Sequence, residues 1–411
     1  MEPTTPVKPG IPAPPMKPRR HTSTKPCRSW ATTMTMTMTS NTFWRTEMKT
    51  EITHDENSGA KAPEQQEGAR RRRKRSSEVA VLQAQLKHTY YPHARDQALL
   101  DQLNKLLDDF EDFDEIAAQA GLGRVGRLNE GRAVVVVGES GAGKSRSLER
   151  AFANLGMTNR SDKTFVVSVR APSPCNLKQL GIEILDGLGY PLERDFRENV
   201  VWRLVRKQLA LRKIRFLHID ELQHLTQLNN PAEAFKVCDT LKGLMQNADW
   251  PMWMILSGMP NLARIIESDF QLRRRSSFVR LDQLTACKED LKEIRKVLGN
   301  FGHKAELSLD DLPILELASR LLHGTEGRLG YLIEVVQEAF SLTLQEWRKN
   351  PLMGDFERAY EAKTGCRPEH NVFADGVEWQ NVDVRNTLFP EEEIEEEPKP
   401  KKRRRKVVRG A

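Results

Sequence analysis

The chain has 411 residues, enough for one nucleotide-binding domain, a smaller companion and tails. Its hydrophobic content of 38% is low for a wholly globular chain, which predicts disordered stretches. Its net charge of +7 suits a nucleic-acid partner or merely solvated basic tails. Five scattered cysteines, Cys27, Cys175, Cys238, Cys287 and Cys366, contain no C-x-x-C pair. That argues against a zinc or redox motif and fits a reducing, cytoplasmic and nucleoid-associated location. No apolar run approaches a membrane span, so no membrane association is expected.

Residues 1–78 read as a disordered extension: a Pro-rich start, then TMTMTMTS over Thr33–Ser40, neither with a period that could bury a core. Met48 is an alternative initiator. The block Arg70–Arg75 is a solvated linker or a non-specific phosphate contact. Order is expected from about Val79. Leu99, Leu100, Leu103, Leu106, Leu107 and Phe110 recur at helical spacing, with Tyr91 and Pro92 just before them. Tyr91 either packs or covers an adenine. Gly121–Arg132 connects to the first strand.

Val134–Val137 is a β-branched run with the character of a buried strand. GESGAGKS follows and satisfies G-x-x-x-x-G-K-[ST] at every defined position. Gly138, Glu139, Ser140, Gly141, Ala142 and Gly143 form the loop whose N–H groups face phosphate. Lys144 supplies a point charge for the β- and γ-phosphates, and Ser145 a hydroxyl for Mg²⁺. Arg146 continues the binding segment as a helix begins, over Arg146–Leu155, with its positive dipole end at the phosphates.

Thr164–Pro174 is a second strand and loop; Glu198–Leu211 is a basic amphipathic helix. Ile214–Ile219 is a third strand, ending in Asp220 and Glu221 about 75 residues after the P-loop. That is a Walker B pattern, with Asp220 ordering the metal shell and Glu221 polarising the attacking water. Trp253–Met259 is a fourth strand. Ser257 at its end either touches the γ-phosphate or satisfies backbone groups. A helix then closes on Arg273–Arg275 before a fifth strand, Phe278–Leu281. These guanidiniums either solvate the surface, or one reaches a neighbouring subunit's nucleotide; Arg275 is the first choice and Arg274 the next. From Thr285 the pattern is helical. Three helices suit a lid, and Arg328 at the start of the third is placed to reach phosphate. Glu391–Glu397 and Lys399–Val407 are opposed charge blocks of a disordered tail.

The expected fold is α/β, a AAA+ P-loop NTPase with a five-stranded parallel sheet and a small helical lid, between disordered tails. The expected divisions are 1–78 extension, 79–284 ATPase core, 285–350 lid, 351–390 helix and loop, and 391–411 tail. YPHARDQALLDQLNKLL, VVGESGAGKS, VRAPSPCNLKQLGIEILDGLGYP, LHIDELQHL, LSGMP, QLRRRSSF and TGCRPEHNVF, in this order, resemble the TniB/TnsC family of transposition ATPases, similar in role to MuB. The resemblance spans roughly residues 85–375 and departs at Val372, where the family's terminal N-P-F has proline. It implies ATP and Mg²⁺ binding and homo-oligomeric rings or filaments on double-stranded DNA. It further implies recruitment of a transposase, with or without a target-selection adaptor. Lys178, with Arg194 and Arg197, is the expected DNA contact. The alternative is a replication-initiator or helicase-loader ATPase, which is expected to add a winged-helix reader after the lid. A non-catalytic DNA scaffold is a third possibility, against which Glu221 argues.

Overall fold

The computed structural model describes residues 77–119, 130–226 and 231–385. The expected extension up to residue 76, the Arg70–Arg75 block, most of the Gly121–Arg132 connector and the charged tail lie outside these residues.

Five strands, β1 (Ala133–Val137), β2 (Val166–Arg170), β3 (Phe216–Asp220), β4 (Trp253–Gly258) and β5 (Ser276–Arg280), form one sheet in the order β2-β3-β4-β1-β5. Every pairing is parallel. The apolar run of β1 explains its central place: all five of its residues are buried, as a strand covered on both faces requires. The chain passes from β1 to β2 at the sheet's far edge, then fills β3 and β4 inward. The carboxyl ends of β1, β4 and β3 therefore meet beside the point where strand order reverses, where open α/β sheets hold their ligands.

One face of the sheet carries Val135, Leu217 and Leu256 under α4 (Leu177–Gly187), α5 (Glu198–Leu211) and α6 (Pro231–Met245). The other carries Val134, Phe216 and Trp253 under α2 (Ala94–Gln119) and α3 (Lys144–Asn154). The leucine period read from sequence is the α2 seam. Phe110 stacks edge-on against Trp253 at 5.1 Å, and the Trp253 indole donates to Asp109 Oδ2 at 2.9 Å. A buried Trp needs such a partner.

The short helices α7 (Pro260–Ser268) and α8 (Phe270–Arg274) lead into β5. That strand starts two residues earlier than its apolar pattern suggests. Ser276 and Ser277 pair with Ala133 and Val134 through the backbone, a bond that needs no hydrophobic side chain.

After β5, α9 (Lys288–Lys304), α10 (Ile314–Gly324), α11 (Leu329–Gln345) and α12 (Met353–Thr364) build a separate core. A helix over residues 77–88, α1, joins it through Val79, Leu82 and Leu86. Asn371, Val372 and Phe373 are buried there as well. The Arg320 guanidinium donates to Val372 O and Ala374 O, and Phe373 packs edge-on against Tyr360 at 5.4 Å. Val372 is therefore a buried part of the lid core. Among the described residues, no helix is long and apolar enough to cross a membrane.

Candidate nucleotide-binding site

The turn from β1 to α3 is the P-loop. Gly141 and Gly143 have φ of 75° and 93°, values at which a side chain would be strained, so the loop curls its backbone into a concavity. Lys144 opens α3 and is buried. Its Nζ donates to the carbonyls of Gly138 at 2.9 Å and Glu139 at 3.1 Å, over the mouth of the loop. Burial lowers its pKa, opposed by Glu221, Asp220 and Glu139.

Sequence places Ser145 and Asp220 75 positions apart; the fold joins them. Ser145 Oγ donates to Asp220 Oδ2 at 2.8 Å. Asp220 Oδ1 accepts from Ser257 Oγ at 2.5 Å and from the Glu221 backbone N–H at 2.9 Å. Burial pushes the Asp220 carboxyl upward, but the hydrogen bonds from Ser257 and Ser145 together hold it below its ordinary value. It is thus an ionised, preset oxygen ligand. Ser257 comes between the two Walker segments because β4 lies between β1 and β3.

Glu221 sits at φ 57°, a left-handed conformation uncommon for a non-glycine residue, one step past the strand. Its carboxylate accepts from Gln223 Nε2, whose own Oε1 accepts from the Met259 N–H at 3.1 Å. The acid is thereby aimed into the cleft from β3 and tied to the end of β4. Nothing in the sequence marked Gln223 for that task.

The opposite wall comes from before β1 and from the lid. Thr89, Tyr90, Tyr91, His93 and Arg95 face Leu329, Gly330 and Ile333 across the loop. Tyr91 packs into the lid core and donates to Glu293 Oε1 at 2.8 Å while also lining the cleft. Tyr90 remains on the cleft wall, its phenol pushed up to about 12 chiefly by burial. Arg95 was missed by sequence reasoning. Its Nη2 donates to Ala142 O at 2.6 Å and its Nη1 to Asp282 O at 3.0 Å, while Nε is buried without a partner. A half-buried arginine beside the phosphate loop is a signal that only the YPHARD segment, at the start of a helix, could have carried.

The lid touches the loop directly. The Tyr331 N–H donates to Gly141 O at 3.0 Å. A Cβ on Gly330 would fall 2.6 Å from that same oxygen, so only glycine allows this approach. Arg328 lies beside Gly141, but its guanidinium is paired with Glu326 and its Nε is buried without a partner. The Arg146 guanidinium is bonded to the Lys87 carbonyl at 2.7 Å, although the residue still lines the cleft.

Arg275 is buried: its Nε donates to Glu130 Oε2 at 2.7 Å and its Nη1 to Gln271 O at 2.8 Å. It forms an ion pair inside its own chain. Arg273 and Arg274 are the exposed members. Of the expected DNA contacts, Lys178 lies in the first turn of α4 and Arg194 and Arg197 in the connection to α5, and none of them lines the cleft. Lys178 pairs with Asp195 at 2.5 Å, Arg194 stacks over Phe196 at 4.7 Å, and Arg197 stands at the N-cap position of α5 without a side-chain cap.

The cleft fits a magnesium nucleotide. A lysine and two arginines surround a backbone concavity suited to phosphates. One carboxylate and one hydroxyl form the partial oxygen set typical of Mg²⁺, which completes its shell with phosphate and water. Fold and site together define a AAA+ P-loop nucleotide-binding domain of the ATPase type with a helical C-terminal region. Residues 127–266 match the sequence model of the AAA domain. No curated protein matches the chain. Among solved structures, it is similar to Cdc6p from Pyrobaculum aerophilum, at 14% identity over 70% of this chain and 75% of that one, with a TM-score of 0.48. It is also similar to the ORC1 protein of Aeropyrum pernix in complex with DNA, at 15% identity, 68% and 67% coverage and a TM-score of 0.44. Drosophila ORC bound to DNA matches at 13% identity, with 79% and 72% coverage and a TM-score of 0.44.

Proposed function

We propose that this protein is an ATP-dependent AAA+ regulator that assembles on double-stranded DNA and recruits a DNA-processing enzyme there. The observation that carries the ATPase half is the Ser145–Asp220 contact of 2.8 Å, which joins the two Walker segments into one metal-ready pair beside Lys144. When bound, Mg²⁺ would be held by Ser145 and Asp220 and would supply charge neutralisation for the phosphates. Lys144 binds the β- and γ-phosphates, and Arg95 and Arg328 border them. Glu221, steadied by Gln223, orients and deprotonates the attacking water. Ser257 keeps Asp220 in register. Arg274, exposed at the end of α8, is the candidate finger for a neighbouring subunit's nucleotide.

For the process served, we favour DNA transposition, with the protein acting as target selector and activator of a transposase. This rests on the motif order over roughly residues 85–375 and its similarity to TniB/TnsC ATPases. That the TG…N-V-F ending is built into the lid core supports treating it as part of the same unit. Replication initiation or helicase loading is the second reading, since it uses the same cleft and since similar structures carry the names Cdc6 and ORC. At 13–15% identity those likenesses do not choose between the two. Here residues 366–385 return to the lid, with Trp379 packed on His323 and the His323 ring bonded to Val382 O at 3.0 Å.

The test is assembly on DNA followed by capture of partners. With ATP and Mg²⁺, the full chain should form salt-sensitive oligomers on duplex DNA of any sequence and should retain a transposase. Equal assembly without nucleotide would overturn the mechanism, and retention of a replicative helicase instead would move the assignment to replication.

A further inference from the structure

One buried group is wired to the cleft without touching it. His218 lies midway along β3 on the face covered by α3, 5% exposed, with the Phe152 ring 5.4 Å away. An imidazole in that apolar layer is costly unless both nitrogens are satisfied, and both are. Nδ1 lies 3.0 Å from Ser168 Oγ on β2, and Nε2 lies 2.9 Å from Ser257 Oγ on β4. Ser257 reaches Asp220 Oδ1 at 2.5 Å, and Ser145 reaches Oδ2 at 2.8 Å. A continuous chain of hydrogen bonds therefore runs across three strands, from the sheet's outer strand to the Walker B carboxylate.

Counting protons gives this chain a direction. An ionised carboxylate only accepts, and a serine has one proton to give. Ser257 gives its proton to Asp220, so its oxygen must accept from His218. The imidazole proton is then on Nε2. Nδ1 is bare and accepts from Ser168. Each donor points toward the negative charge, the arrangement in which successive hydrogen bonds polarise one another.

We infer that His218 is a positioning residue for the metal-binding carboxylate: its Nε2–H fixes the Ser257 proton on Asp220 Oδ1 and leaves Oδ2, beside Ser145, for Mg²⁺. This deepens the ATPase reading and rests on it. Oδ1 already takes two donors, Ser257 and the Glu221 N–H, so the carboxylate has one defined orientation. Removing the imidazole lets the Ser257 hydroxyl rotate and loosens that orientation. Partners of this outer kind commonly change metal affinity by about 10–100-fold.

The experiment reads magnesium and tautomer separately. A fluorescent ATP analogue is titrated with and without Mg²⁺. His218→Leu should reduce the magnesium-dependent gain in affinity about tenfold and leave magnesium-free binding unchanged. His218→Gln, whose amide nitrogen can still donate to Ser257, should restore most of the gain. An undiminished magnesium gain in His218→Leu overturns the inference. Nitrogen-15 NMR of the imidazole in the nucleotide-free wild type should show the Nε2-protonated tautomer; the Nδ1-protonated form overturns the inference even if ATP binding is normal. If the wild type binds no nucleotide, the ATPase reading fails while the tautomer result still decides the relay. Should His218→Leu not fold, Ser168→Ala on the outer strand replaces it. There the Nδ1 resonance should shift as it loses its donor while the proton stays on Nε2, and an unchanged Nδ1 signal or a proton moved to Nδ1 overturns the relay.

Discussion

The nucleotide cleft and the arginine run at the end of α8 differ in what places their side chains. In the cleft, backbone geometry does it: a buried strand, two glycines at positive φ and a helix start leave Lys144 and Ser145 one position to occupy. In the run, three identical residues follow one another at the end of a five-residue helix, and tertiary context alone separates them. Arg275 turns inward to Glu130, 145 positions earlier in the chain, while Arg273 and Arg274 remain exposed. A motif defined by main-chain shape can be assigned from sequence alone. A choice among adjacent guanidiniums depends on which one finds a carboxylate partner within its own chain.

Lys144→Ala is expected to have the largest effect. It removes the cation that lies on the Gly138 and Glu139 carbonyls, and ATP affinity should fall by about 100-fold or more, counting roughly 3 kcal/mol for a charge-assisted contact. Fluorescent-nucleotide titration measures the loss, and ATP-dependent assembly on DNA should vanish with it. Glu221→Gln comes next. Turnover should drop by about 10²–10⁴-fold, the usual contribution of a positioned base, while binding persists and DNA-bound oligomers outlive those of the wild type. Unchanged turnover would remove Glu221 from the water-orienting role. Both variants probe the backbone-defined side of the comparison.

The other side is broken by a pair of substitutions. Arg275→Ala strands Glu130 and opens a buried site. It should destabilise the fold by about 2 kcal/mol, because the partly exposed Glu130 can be rehydrated, read as a lowered denaturation midpoint. Arg274→Ala should leave stability within about 0.5 kcal/mol, as exposed positions do, yet abolish ATP turnover in the assembled state. Mixing Arg274→Ala with Lys144→Ala should restore part of the activity, because each supplies what its neighbour lacks. If Arg274→Ala alone hydrolyses ATP normally, the finger lies elsewhere. If Arg275→Ala is fully stable but inactive, Arg275 is the finger.

Much of this molecule could be read before its structure. The five strands, the helix Glu198–Leu211 and the Walker residues have signals that are local: β-branched runs, a 3.6-residue period and glycines at fixed offsets. What escaped depends on contacts between distant segments. Arg95 meets Ala142 across 47 positions, and His218 meets Ser257 across 39. Gly330 matters because the lid rests on Gly141, a close approach that no period in the sequence encodes. Ser276 joins β5 by backbone pairing alone, so hydrophobicity could not mark the strand's start.

The smallest effect belongs to the proposed DNA contact, where two substitutions should act in opposite directions. Lys178 is 32% exposed and paired with Asp195, which is 85% exposed. The lysine is therefore partly committed within the chain, and its partner can be removed without disturbing a core. If Lys178 meets a phosphate, Lys178→Ala should lower the salt dependence of DNA binding by about one counterion. At 50 mM salt relative to 200 mM, that corresponds to roughly a threefold change. Asp195→Ala should do the reverse, because it frees the ammonium from an intramolecular competitor and removes a charge that repels phosphate. Fluorescence anisotropy on an arbitrary duplex across a salt series resolves both slopes. Opposite signs place the backbone at the α4–α5 connection; equal slopes in both variants place it elsewhere and leave Lys178 as a surface ion pair.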